Sequence, residues 1–233
     1  MLVSAQANLA FAHFPKTAGT SLTAMLTAAL PDARLIDPAD KHLAVRESYR
    51  RLCRRKNPVR AWMRRLKGLP CGTCEVEVPD PKALRVIGVV REPFDMAVSL
   101  FEYWRKYLAH RSDRDATPLI SAATRGDFIG FLELLGEDAS QFPTYHQFYD
   151  VEGPLWPNTI LIDFAHLKEG LAEAFAQLDI KVDLDQLGQL NTNARTEAQM
   201  LERRAQAGGL ADKVRRRYER GRPLKLLGRD RRG

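Results

Sequence analysis

The run Leu84–Val90 (LRVIGVV) constrains this 233-residue chain more than any other stretch. It is rich in β-branched residues and lacks polar alternation, the pattern of a strand covered on both faces in a parallel sheet. Two more runs read as strands: Asn8–Phe14 (NLAFAHF), stopped by Pro15, and Thr159–Phe164 (TILIDF), with Ala33–Ile36 as a short addition. Helical patterns separate them. Thr20–Leu30 ends at Pro31, with Thr20 or Ser21 as its expected cap. Lys41–Cys53 and Val59–Lys67 are divided by Asn57-Pro58, and Pro93 to about Ala109, Asp127–Leu135 and His166–Leu178 follow. Ala194–Arg220 reads as two charged helices around Gly208-Gly209. The helix from Pro93 carries Met96, Leu100, Tyr103, Trp104 and Tyr107 as an apolar stripe, expected to face the core. This alternation predicts an α/β fold, a mainly parallel sheet flanked by helices.

The length suits a single domain over 1–233, with a basic insertion at about 50–81 and a basic tail at about 213–233. Apolar residues make up 45% and charged residues 28%, which excludes collagen-like, disulfide-scaffold and wholly disordered classes. No apolar run reaches the roughly 18 to 20 residues of a membrane span. The first residues have no basic stretch, long apolar core or small-residue cleavage site, so no secretory signal is expected. Three cysteines cannot all pair within the chain, and a reducing, cytoplasmic setting is the expectation. The net charge of +7 is unevenly distributed: Arg46–Lys67 carries +9 and the chain from Lys213 onward +8, leaving −10 on the remainder. Basic segments on an acidic body predict local contact with polyanions, for which acidic glycans, phospholipid headgroups and nucleic acid all fit, or else solvated helix faces.

The chemistry-bearing stretch is Phe11–Leu22, FAHFPKTAGTSL. A strand enters a tight turn containing Lys16 and Gly19, passes Thr17, Ala18, Thr20 and Ser21, and becomes a helix. Such a turn aims backbone N–H groups and the positive end of a helix at one point, and the Lys16 ammonium and three hydroxyls add donors for an anion. The order differs from the nucleotide loop GxxxxGK[ST], because Lys16 precedes Gly19 by three residues. A second candidate is Val89–Leu100 (VVREPFDMAVSL), with Arg91 at the end of the best strand and Ser99 about two turns into the next helix. Parallel strands open their C-terminal ends onto one crevice, so Arg91 is expected near the Lys16 loop, offering a planar fork to a phosphate.

PKTAGTS after a short strand resembles the 5′-phosphosulfate loop of sulfotransferases that use 3′-phosphoadenosine 5′-phosphosulfate (PAPS), most closely the carbohydrate branch that includes the heparan and chondroitin enzymes. VVREPFDMAVSLFEYW is similar to that family's 3′-phosphate motif, in which an Arg and a Ser have this spacing. The resemblance implies a P-loop-NTPase-like sulfotransferase fold and transfer of a sulfuryl group to a hydroxyl or amine of a carbohydrate or glycan-bearing acceptor. It implies binding by Lys16, Thr17, Ala18, Gly19, Thr20, Ser21, Arg91 and Ser99, with Lys16 also catalytic at the leaving phosphate. Residues 50–81 exceed the spacer expected there. Relatives of the eukaryotic kind are usually Golgi-anchored, so a bacterial cytoplasmic enzyme is the expectation. Arg195, in the loop Leu190–Arg195, is an additional candidate contact to PAPS.

Such a transfer needs a proton acceptor. His42, in Asp40-Lys41-His42, is expected to open the helix after the second strand and to act as base, with Glu75 or Glu77 as alternatives; His13 reads as structural, and His110, His146 and His166 remain further histidines. No metal site is expected: HExxH is absent, and Cys71-Gly72-Thr73-Cys74 reads first as a turn, with zinc or a thiol pair as alternatives. The basic insertion, with Arg54 and Arg55, suits an acidic acceptor or peripheral membrane contact; nucleic acid is not the expected partner. Two other readings stay open: a nucleotide-dependent kinase on a related fold, disfavoured by the displaced lysine and the lack of a recognised acidic strand end for magnesium, and a non-catalytic polyanion-binding protein.

Overall fold

The computed structural model describes residues 1–55, 78–108, 117–137, 142–187, 197–221 and 223–228. In chain order its elements are β1 (Leu2–Ser4), β2 (Leu9–Ala12), α1 (Gly19–Ala29), β3 (Arg34–Leu35), α2 (Val45–Arg55), β4 (Arg85–Val90), α3 (Pro93–Tyr107), α4 (Pro118–Thr124), α5 (Phe128–Glu137), α6 (Tyr145–Tyr149), β5 (Thr159–Asp163), α7 (Leu167–Leu178), α8 (Glu197–Ala207), α9 (Gly209–Glu219) and β6 (Leu226–Leu227). The chain divides into two compact units. One comprises Met1–Val90, Gln147–Leu190 and Lys225–Gly233, and the other Arg91–His146 and Asn191–Leu224.

The first unit contains the six-stranded sheet, ordered β3-β1-β2-β4-β5-β6. β2, β4, β5 and β6 pair in parallel, while β1 is antiparallel to both of its neighbours. The α/β expectation therefore holds, as a mixed, mostly parallel sheet with helices alongside. Phe11, Leu22, Met25, Leu26, Ile87, Val89, Ile162, Leu171 and Phe175 form one continuous core from strands, α1 and α7. β4 is buried from Val86 to Val90, as its β-branched sequence requires. Gly88 interrupts that run because a Cβ there would lie 2.3 Å from Cε1 of the Tyr149 ring.

β2 ends opposite Gly88, so β4 outruns its neighbour. Tyr149 takes over beyond that point: its hydroxyl accepts the N–H of Val89 at 3.0 Å and donates to the carbonyl of the same residue at 2.8 Å. A side chain thus completes a strand edge where no ladder partner continues.

The second unit is helical. Phe94, Phe101, Phe128 and Phe131 pack edge-on, joined by Trp104. α8 lays Arg203 over the rings of Phe101 and Phe128, and Arg204 over Phe94. The stripe expected on α3 is only half correct. Met96 and Leu100 are buried and Trp104 packs on Phe131 and Phe142 as expected, but Tyr103 and Tyr107 are exposed at 43% and 53%, and Phe101, outside the expected stripe, is buried instead. Among the described residues no helix is long and apolar enough to cross a membrane.

Part of the positive charge expected to meet polyanions is consumed internally. Arg46 places Nε and Nη2 at 2.9 and 2.6 Å from Oδ1 of the buried Asp150. Arg51 pairs with Asp37 and Glu47. In the tail, α9 and β6 are ordered elements: Lys213 binds Glu137, Arg215 binds Glu92, and the buried Arg217 donates to the carbonyls of Leu135 and Phe142. Arg217 thereby satisfies an orphan carbonyl in the last turn of α5.

Candidate functional site

The Lys16 turn lies wholly in the first unit, leaving β2 and leading into α1. Lys16 and Ala18 both adopt left-handed backbone, with φ of 65° and 59°. Non-glycine residues take up that region at a cost of roughly 1–2 kcal/mol each, and such strain concentrates where a fixed backbone shape is needed. The expected cap is corrected here. Neither Thr20 nor Ser21 caps α1; the N-cap is Ala18, which has no side-chain acceptor, and the first turn contains no acidic residue. The amino end of α1 thus has neither a capping side chain nor an acidic residue in its own first turn, and such an end favours an external anion.

The three hydroxyls differ. Thr17 is fully buried, and its Oγ1 donates to the Phe14 carbonyl at 2.9 Å, closing the turn. What remains at Thr17 for a ligand is backbone. Thr20 is exposed and Ser21 is 5% exposed.

Gly19 begins α1 because the His13 ring occupies the space of a side chain: a Cβ on Gly19 would fall 1.7 Å from Cδ2 and 1.9 Å from Nε2 of His13. His13 is 4% exposed, and its Nδ1 has no hydrogen-bond partner among the described residues. Burial first, then repulsion from a protonated His42 were both rings to charge, and from the Lys41 ammonium, hold its pKa down to about 3. His13 is a neutral wedge at neutral pH.

His42 sits edge-on to that wedge, ring centroids 4.4 Å apart. It does not open α2 as expected. It lies in a turn where its N–H is accepted by the Asp40 carboxylate at 3.0 Å, and the helix starts three residues later at Val45. Nδ1 of His42 is 3.0 Å from the His13 carbonyl. A carbonyl only accepts, so Nδ1 carries the proton and Nε2 of the neutral ring holds the basic lone pair. Burial lowers the His42 pKa, partly opposed by this hydrogen bond.

Arg91 and Ser99 belong to the second unit. Arg91 directly follows β4, and Ser99 is half-buried in the second turn of α3. Unlike α1, α3 has an acidic cap: Glu92 accepts the Asp95 N–H at 2.8 Å and is itself paired with Arg204 and Arg215. The Arg91 backbone is held by Tyr145, whose hydroxyl donates to the Arg91 carbonyl at 2.7 Å and accepts its N–H at 3.3 Å.

One strand does end in an acid. Asp163 closes β5, paired in register with Val90, and its carboxylate accepts the Ala165 N–H at 3.0 Å. Among the described residues no group of three or more His, Cys, Asp and Glu side chains forms a metal site. Glu75, Glu77, Cys71, Cys74, His110 and Arg195 lie outside the described residues, as do most of the basic insertion and the side chains of Arg54 and Arg55. Sequence reasoning missed Tyr145 and Tyr149, although YHQFY sets two tyrosines four residues apart on one helical face.

No protein-family model, curated protein or solved structure matches the chain.

Proposed function

We propose that this chain is a PAPS-dependent sulfotransferase with a P-loop-like fold, acting on a hydroxyl or amine of a carbohydrate or glycan-bearing acceptor. The observation that carries the reading is the uncapped amino end of α1, directly after left-handed Lys16 and in the same unit as neutral His42. PAPS would supply the sulfuryl group and leave as adenosine 3′,5′-bisphosphate. The α1 amides from Ala18 to Ser21 and the Lys16 ammonium suit its 5′ end, where charge grows on the departing phosphate and a fixed cation favours the transition state. Arg91 and Ser99 are assigned the 3′-phosphate. His42, with its proton fixed on Nδ1, is assigned to take the acceptor's proton at Nε2.

Labelled-sulfate transfer from PAPS to a panel of glycans, nucleotide sugars and lipids tests the reading; incorporation into a glycan is the expected result, and none into any acceptor counts against it. The kinase reading draws on Asp163 at the end of β5, a position that suits a magnesium-ligating acid. Magnesium-dependent ATP turnover would favour it.

A further inference from the structure

We propose that Tyr145 is a positioning residue that sets Arg91 for a ribose 3′-phosphate; this rests on the sulfotransferase reading of Arg91. α6 contributes two tyrosines that act alike, each bridging the N–H and the carbonyl of a single residue. Tyr149 does so at Val89 and Tyr145 at Arg91. The two bridges are two residues apart along the chain: Val89 lies in β4 beyond the last residue paired with β2, and Arg91 follows the strand's end. The Tyr149 bridge supports the interior of the sheet. The Tyr145 bridge instead holds Arg91, a guanidinium residue just past the end of the strand.

The Tyr145 ring is itself fixed. It is 2% exposed and meets the buried Tyr218 ring edge-on, centroids 5.2 Å apart. With both backbone groups of Arg91 tied to one hydroxyl, φ and ψ at that residue are restrained from both sides, and the direction in which the side chain departs is set. A bidentate fork needs that restraint, because a guanidinium misaligned by a small rotation loses one of its two parallel hydrogen bonds.

Titration of adenosine 3′,5′-bisphosphate and of adenosine 5′-monophosphate into the full chain separates positioning from simple support. Tyr145→Phe removes the bridge and keeps the ring. It is expected to reduce the preference for the bisphosphate by about tenfold, the equivalent of one charge-assisted hydrogen bond, while affinity for the monophosphate holds. Tyr149→Phe loses the equivalent bridge two residues earlier, at Val89, and is expected to keep the wild-type preference. If Tyr145→Phe retains the preference, or Tyr149→Phe loses it equally, the positioning role is overturned. Should Tyr145→Phe not fold, Tyr218→Leu, which withdraws the ring behind Tyr145, must reduce the same ratio, and an unchanged ratio there overturns the role too. A wild-type chain that does not distinguish the two nucleotides instead overturns the 3′-phosphate reading of Arg91, and this inference with it.

Discussion

The imidazole of His42 is held by the backbone of His13, Nδ1 to carbonyl oxygen at 3.0 Å, and lies edge-on to the His13 ring. One histidine therefore decides the tautomer of the other. The contact also joins the residue before the Lys16 turn to the proposed base, so the anion loop and the proton acceptor share one support.

His42→Ala is expected to abolish sulfuryl transfer and leave nucleotide binding intact. Burial lowers the His42 pKa, so the neutral, basic form persists below the ordinary value of about 6.5. The acid limb of the kcat/KM profile should have its midpoint below 6.5. A midpoint at or above that value, or undiminished turnover in the variant, removes His42 from the role.

His13 has a folded-state pKa of about 3 against about 6.5 when unfolded. Between those values the unfolded chain binds the additional proton, so stability falls as pH falls, by about 1.4 kcal/mol per pH unit at most for this one group. Urea unfolding between pH 7 and pH 4.5 should show a shallower acid slope in His13→Phe than in wild type. Identical slopes would mean that His13 is not buried neutral.

Gly19→Ala forces a methyl into the His13 ring and should destabilise the chain by about 1–3 kcal/mol, the range for overpacking a close-packed site. The double variant His13→Ala, Gly19→Ala should show a strongly non-additive recovery in a denaturation cycle. Simple additivity would place the ring elsewhere.

Ala18→Gly relieves a left-handed alanine and should stabilise by about 1 kcal/mol in thermal unfolding. A loss of stability would contradict the φ of 59°.

Arg217→Met leaves the carbonyls of Leu135 and Phe142 buried without their donor and should destabilise by about 3 kcal/mol, measured by urea unfolding. A neutral result would return Arg217 to the solvated face first expected of it.

The parts of the fold legible in the sequence are those where local pattern and burial agree. LRVIGVV reads as a covered strand because it is one, and Pro31, Pro93 and the Gly208-Gly209 pair mark helix limits within a few residues. β1 and β6 escaped notice because three and two residues carry no period, and β6 follows a run of arginines. His42 reads in the sequence as the opening of a helix; the Asp40 side chain instead closes a turn on the His42 N–H. In the candidate site, Lys16 and Gly19 stood out by composition. The neutral pairing of His13 with His42, and the two tyrosine bridges, depend on contacts between residues 29 to 60 positions apart, which no short window contains.

The most direct measurement is calorimetric titration of adenosine 3′,5′-bisphosphate into the wild-type chain and into Lys16→Ala. One saturable site in wild type, weakened about tenfold or more without the ammonium, is the expected result. No binding to wild type, or equal binding by both chains, would contradict the assignment of the Lys16 turn as the phosphate site.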